Sequence, residues 1–361
     1  MCVIFFYVNS NPQVNGYKLI LASNRDEFYA RDTKEVAKWQ NVENCYGGID
    51  MEPGREGGTW LAISGQDGIF KIAALLNLTG EPKPRNAVGA RGHPLNSLFG
   101  HGSFFFNHNI LLHNQHTQEQ QESSKSPTTQ TINGYKPPSQ STEQIDPHPL
   151  TCPQSSLQHN NNSLLGRGML VSDYVSNYTE GFDHVNYNRS LLADCSKYSA
   201  FNFVSIEIGP STRPALVTLC SNAPASLVEY KENTCYGFGN SLPSAPFEKV
   251  RYGRNRFQKI VEKFQKEQQP SQNELIDQLM ELLKCKEKFW PDAELMRRAP
   301  NWGEHLSALN VCVPGHGYGS RTHTVILVDA HNKMHFIEET MKTQDPEGEW
   351  SRHHIETQYL F

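Results

Sequence analysis

From His93 to Leu165 the chain runs through 73 residues that a packed core cannot use. Seven of the 15 histidines lie there, tryptophan is absent, and Lys125 and Lys136 face four acidic residues. Mixtures such as Gln118–Gln121, Lys136-Pro-Pro and His159–Asn162 bury too little apolar surface to offset chain entropy. The stretch is therefore expected to be largely disordered, with Phe104–Leu112 a locally collapsed patch inside it. Whatever folds must be assembled from about 1–92 and 166–361. The chain reads as a single domain over 1–361, interrupted at about 93–165.

The remainder is rich enough for a core, since 37% of the 361 residues are apolar and 10% aromatic. The net charge of −5 exerts no long-range pull on nucleic acid or anionic membrane, so neither is an expected partner. No run approaches the roughly 18 apolar residues of a membrane span. Cys2–Val8 lacks a basic region before it and meets polar residues at once, so it reads as a first strand rather than a signal peptide. The eight cysteines (Cys2, Cys45, Cys152, Cys195, Cys220, Cys235, Cys285, Cys312) show no C-x-x-C pair and no zinc-type spacing. A reducing compartment fits them, and no metal or cofactor is expected. Asn77, Asn177 and Asn188 match the glycosylation pattern by chance.

Short β-branched and aromatic runs predict strands over Lys18–Asn24, Thr59–Ser64, Phe70–Leu78, Phe201–Ile208, Ala215–Ser221 and Thr234–Phe238. Further strands are predicted over Val311–Val313, Thr322–Asp329, Lys333–Thr340 and His353–Leu360. Arg167–Val175 and Tyr187–Leu192 read as short helices. Phe247, Val250, Phe257, Ile260, Val261 and Phe264 recur at helical spacing, as do Leu275, Ile276, Leu279, Leu282 and Leu283. The interleaved charges of the first of these helices, Lys249, Arg251, Arg254, Arg256, Lys259 and Lys263, read as its solvated face. Strands, then helices, then strands argue for α+β, with helices covering two antiparallel sheets.

Cys2 admits two readings. It begins a buried strand, or it becomes the mature N-terminus once Met1 is removed, its thiol the nucleophile and its own α-amine, of ordinary pKa about 8, the base. A hairpin of the first two strands brings Asn24-Arg25-Asp26-Glu27 beside it. There Arg25 would favour the thiolate and a carboxylate of Asp26 or Glu27 would orient the amine. Asn77 and Asn240 are each an amide donor for a developing oxyanion or a turn residue. Gly315-His-Gly-Tyr-Gly-Ser-Arg321 lacks the spacing of a nucleotide loop and leads Arg321 towards the same pocket.

Met1-Cys2 with its aliphatic-aromatic strand, Ser23-Asn-Arg-Asp-Glu-Phe28 and Glu56-Gly-Gly-Thr-Trp-Leu61 resemble the NRDE-domain proteins. The run Cys312-Val-Pro-Gly-His-Gly-Tyr-Gly-Ser-Arg-Thr-His-Thr-Val-Ile-Leu-Val328 narrows the resemblance to the transport and Golgi organization protein 2 family, over about 1–92 and 166–361. The resemblance implies a four-layer αββα sandwich of the N-terminal-nucleophile hydrolase type. It implies a cytoplasmic protein, associated also with Golgi and mitochondria and not secreted, needed for Golgi organization and protein secretion. It further implies a small hydrophobic or acyl ligand, whether acyl-CoA, lipid or haem. Cys2, Arg25, Asp26, Asn77, Asn240 and Arg321 are placed like the catalytic set of the related choloylglycine hydrolases. In those enzymes three residues separate the Arg from the Asp, whereas here Asp26 follows Arg25 directly. Two functional readings follow, a trafficking or carrier protein with a hydrolase-like pocket, and a cysteine amidohydrolase or acyltransferase acting on an amide or thioester.

Overall fold

Apolar runs buried on both faces build two sheets, and period-3.6 stripes supply the helices that cover them. The computed structural model describes residues 1–40, 42–53, 56–80, 165–267 and 271–359. The disordered stretch expected at about 93–165, its Phe104–Leu112 patch and its histidines lie, apart from Leu165, outside the described residues.

The first part of the chain holds β1 (Val3–Val8), β2 (Tyr17–Phe28), β3 (Thr33–Lys38), β4 (Cys45–Asp50), β5 (Leu61–Gln66) and β6 (Ile69–Asn77). After the polar stretch come α1 (Gly168–Ser176), α2 (His184–Ala193), β7 (Phe201–Ile208), β8 (Leu216–Asn222), β9 (Ala225–Tyr230) and β10 (Tyr236–Gly239). Four helices follow, α3 (Glu248–Lys266), α4 (Gln272–Leu283), α5 (Ala293–Arg298) and α6 (Gly303–Leu306). The last strands are β11 (Cys312–Val313), β12 (Tyr318–Asp329), β13 (Lys333–Met341) and β14 (Trp350–Gln358).

The fold is α+β with antiparallel sheets. One sheet runs β10-β1-β2-β12-β13-β14, with β11 beside β12, and the other runs β3-β4-β5-β6-β7-β8-β9. Ile4, Phe6, Leu21, Ile326 and Phe336 of the first share one apolar cluster with Ile63, Phe70, Ile72, Val204 and Leu219 of the second. Helices α3 and α4 pack on the first sheet, against β10 and β1 and against β12 and β2. Helices α1 and α2 pack on the second, where Leu170, Val171, Tyr174 and Val175 meet Leu75 and Phe203. Strands from both sides of the polar stretch thus enter one compact unit.

Side-chain caps start three of the helices. Ser271 caps α4 by accepting from the Glu274 N–H, and Asp183 and Asp292 cap α2 and α5 in the same way. The helical stripe of α3 is buried as predicted, but its solvated face is one residue narrower. Lys249 is fully buried. It shares a helix face with Gly253 and Phe257 at successive intervals of four, and that face lies on β1.

No described helix is long and apolar enough to cross a membrane. The seven described cysteines are all free thiols.

Candidate functional site at the chain start

The β1–β2 hairpin pairs Val3 with Asn24, so Cys2, one position earlier, lies opposite Arg25. Strand β2 is flanked on its other side by β12, whose Ser320 lies opposite Asp26. The start of the chain is therefore in the interior of a sheet, and alternation along β2 sends the NRDE quartet to two faces.

Asn24 and Asp26 face the helices. The Asn24 amide donates to the carbonyls of Leu283 (2.8 Å) and Leu309 (2.9 Å), and its oxygen accepts from Nδ1 of His323 at 2.7 Å. Burial pushes the pKa of His323 down to about 4, so its ring is neutral and carries its proton on Nδ1. Asp26 receives the chain's ammonium group, with Met1 N 3.1 Å from Oδ2, while its Oδ1 accepts from the Ser320 hydroxyl at 2.5 Å. The Tyr318 hydroxyl is the second partner of the Met1 ammonium, at 2.7 Å. Lys249 closes this cluster, since its Nζ donates to the carbonyls of Met1 (3.2 Å) and Ala308 (3.0 Å) and stands 4.0 Å from Asp26.

Arg25 and Glu27 face the other way. The Arg25 guanidinium lies 4.4 Å from the ring centroid of Trp60, a cation–π contact. That ring in turn needs Gly48, where a Cβ would come within 2.5 Å of Trp60 Cη2. Arg25 Nη1 is buried and has no hydrogen-bond partner. Glu27 instead pairs with Arg31 at 3.4 Å, which also holds Asp50 (2.5 Å) and Glu52 (2.9 Å).

The Cys2 thiol is half-buried and packs beside the inter-sheet core. Its sulfur accepts from the Asp26 N–H at 3.4 Å. Burial pushes the thiol pKa up, against the opposing pull of the terminal ammonium and Arg25. The lowering charges are present, but desolvation of the sulfur outweighs them.

The other anticipated residues are placed as follows. Asn240 is buried, its Oδ1 unpartnered, and its carbonyl accepts from Thr79 N at 3.0 Å. The Thr79 hydroxyl is 2.9 Å from the Met1 sulfur, so Asn240 stands one residue removed from Met1. Asn77 ends β6 with an exposed side chain and pairs with Phe201. Arg321 turns its Nη1 onto the carbonyls of Phe28 and Tyr29, each at 3.1 Å, and of Arg31. It braces the chain leaving β2. Cys2, Asp26 and Asn240 thus lie around Met1, Arg25 turns to the opposite face over Trp60, and Arg321 gives its Nη1 to backbone while its Nε is buried without a hydrogen-bond partner.

Lys249, Tyr318, Ser320 and Trp60 are the participants that sequence reasoning missed. Lys249 carried a signal, its place four residues before Gly253 on the apolar stripe. Tyr318 and Ser320 lie in the Gly315–Arg321 bend already read as leading to this pocket, but only the β12 register shows that they reach β2.

With Met1 in place, the amine beside Asp26 belongs to Met1, and the Cys2 nitrogen is an ordinary amide. The arrangement can hold a carbonyl or carboxylate beside Arg25, and lacks an N-terminal cysteine amine until Met1 is removed. Among the described residues, no three metal-ligating side chains converge at this site.

The family described as Transport and Golgi organisation 2 matches residues 1–129 and 150–343. Transport and Golgi organization protein 2 of Drosophila melanogaster is 49% identical over 359 residues, covering 99% of each chain. The Mus musculus protein called Transport and Golgi organization 2 homolog is 27% identical over 350 residues, 96% of this chain and 95% of its own. The Homo sapiens homolog is 26% identical over 351 residues, with the same coverage.

Proposed function

Because the chain belongs to the Transport and Golgi organisation 2 family, we propose that it serves Golgi organization and secretion by carrying a small acyl or hydrophobic ligand at the chain-start site. In this reading the stacked sheets and their helices form an αββα sandwich of the N-terminal-nucleophile hydrolase type. It is one domain into which the polar stretch is inserted. The protein works in the cytoplasm, in association with Golgi and mitochondria.

One observation carries the ligand reading. Arg25 Nη1 is buried over Trp60 without a hydrogen-bond partner, opposite the Cys2 thiol. An unpaired buried cationic donor costs free energy, and a ligand oxygen removes that cost. Acyl-CoA and lipid carbonyls suit it, as do the carboxylates of haem.

The second reading, a cysteine amidohydrolase or acyltransferase, is favoured by a different observation. Asp26 holds an amine at 3.1 Å, close to where an N-terminal Cys2 would place its own. Intact mass decides whether Met1 stays. The protein is then titrated with acyl-CoA and, separately, with haem, and each sample is examined by mass spectrometry. Saturable binding that weakens about tenfold or more in Arg25→Met, with no covalent adduct, is the expected result. No binding, or binding indifferent to Arg25→Met, overturns the carrier reading. An acyl adduct on Cys2, absent in Cys2→Ala, replaces it with the enzyme.

A further inference from the structure

On the outer face of the first sheet, away from the chain start, β13 and β14 place His335 directly opposite Glu356. His354 lies two residues before Glu356 on β14, so strand alternation turns both to that face. Nδ1 of His335 is 3.2 Å from Nε2 of His354 and 3.5 Å from Oε1 of Glu356, and the third side of the triangle is 3.6 Å. A tetrahedral metal bound at about 2.0–2.1 Å sets its ligands about 3.3–3.4 Å apart. The three atoms form one face of such a tetrahedron. We propose that His335, His354 and Glu356 bind a divalent transition-metal ion of the zinc class, tying the edge strand β14 to β13.

The surroundings fit the donors. His335 is almost wholly buried at the base of the triangle. Lys333 holds the far oxygen of Glu356 at 2.6 Å, fixing the carboxylate and leaving Oε1 for the ion. Gln272, first residue of α4, places its amide 3.1 Å from the same Nδ1 of His335. Turned over, that amide presents an oxygen to the open fourth position, which water can otherwise fill. Lys333 and the amino end of α4 oppose a cation, so affinity rests on the two imidazoles and the single negative charge. A donor set of two nitrogens and one carboxylate oxygen suits zinc better than magnesium or calcium. The pattern His353-His354-Ile-Glu356 supplies two ligands by alternation alone, and the third comes only from the β13–β14 register.

The test uses the full chain, and point variants separate this site from every other histidine and from the free thiols. Zinc uptake by calorimetry and the visible spectrum of the cobalt-loaded protein are compared among wild type, His354→Ala, Glu356→Gln and His353→Ala. His354 and Glu356 are exposed at the sheet edge, so both variants keep the fold, which circular dichroism checks. His353 lies on the opposite face against Glu35 and is the control. The expected result is one high-affinity site in wild type and His353→Ala, weakened about tenfold or more in the other two. Tetrahedral cobalt bands without a sulfur charge-transfer band should accompany it. At tenfold excess over the dissociation constant, zinc should raise the melting temperature of wild type by about 2–4 °C. Equal uptake by all four proteins, or sulfur ligation of the cobalt, overturns the proposal.

Discussion

Asn24 ties three parts of the chain together through one amide, reaching the end of α4, the segment before β11 and the ring of His323. Asn24→Ala removes all three bonds from a fully enclosed position. It should cost about 2–4 kcal/mol, since each abandoned carbonyl keeps its desolvation penalty. A urea midpoint shift at unchanged m measures it. Glu338 is a second buried group with a measurable signature. Its pKa is raised to about 7, from an ordinary 4.5, by burial against the lowering effect of Val36 N–H (2.7 Å) and the Thr340 hydroxyl (3.2 Å). The folded state binds this proton more tightly than the unfolded chain does. The resulting stabilisation is complete below about pH 4.5 and is lost as pH rises through about 7. Glu338→Gln, which cannot ionise, should gain on wild type by about 3 kcal/mol between pH 4.5 and pH 8. Parallel denaturation curves at the two pH values would contradict this. At this scale the quartet Asn24–Glu27 was legible as a cluster beside Cys2. The division of labour within it was not, because it depends on which face of β2 meets helices and which meets Trp60.

Helix α3 approaches β1 at Gly253, where a Cβ would run into the Phe5 ring. Phe5 is itself stacked on Phe257, with ring centroids 6.1 Å apart and planes inclined by 29°. Alanine is the better helix former by about 1 kcal/mol. Overpacking a filled core costs about 1–3 kcal/mol, and neither ring can retreat from its enclosed site. Gly253→Ala should therefore destabilise by up to about 2 kcal/mol, and a raised melting temperature would show the contact to be soft. Elements with an apolar pattern of their own were readable. The hairpins β1–β2 and β5–β6 and the strands β7, β8, β12 and β13 carry apolar runs, and helices α3 and α4 carry apolar stripes. Strand β3 (Thr-Lys-Glu-Val-Ala-Lys) and strand β4, with two glycines, do not. They are strands because neighbours make them so. Val36 hydrogen-bonds Glu338 from the other sheet, and Gly48 makes room for Trp60. Strand β9 is an exposed edge, and α5 is held by its Asp292 cap.

For the molecule as a whole, the chain's first residue is an interior part. Met1 is 3% exposed, and its ammonium answers a carboxylate enclosed on every side. A peptide extension ahead of Met1 would replace that ammonium by a neutral amide and leave Asp26 with Ser320 and the more distant Lys249. The expected loss is about 3 kcal/mol, since breaking a buried pair strands its partner. The central place of β1 and β2 also imposes a timetable. Their sheet neighbours β10 and β12 begin at Tyr236 and Tyr318, so the hairpin is synthesised long before either edge can be covered. At about 5–20 residues per second, the wait is on the order of 15–60 s, spent with two apolar edges unpaired beside the ribosome. During that interval the amino end is open to processing, and afterwards it is sealed behind Tyr318 and Lys249. An aminopeptidase acting on this chain should therefore reach Met1 only before the last strands arrive. Slowing or speeding translation of the C-terminal third would shift the proportion of chains that keep their methionine.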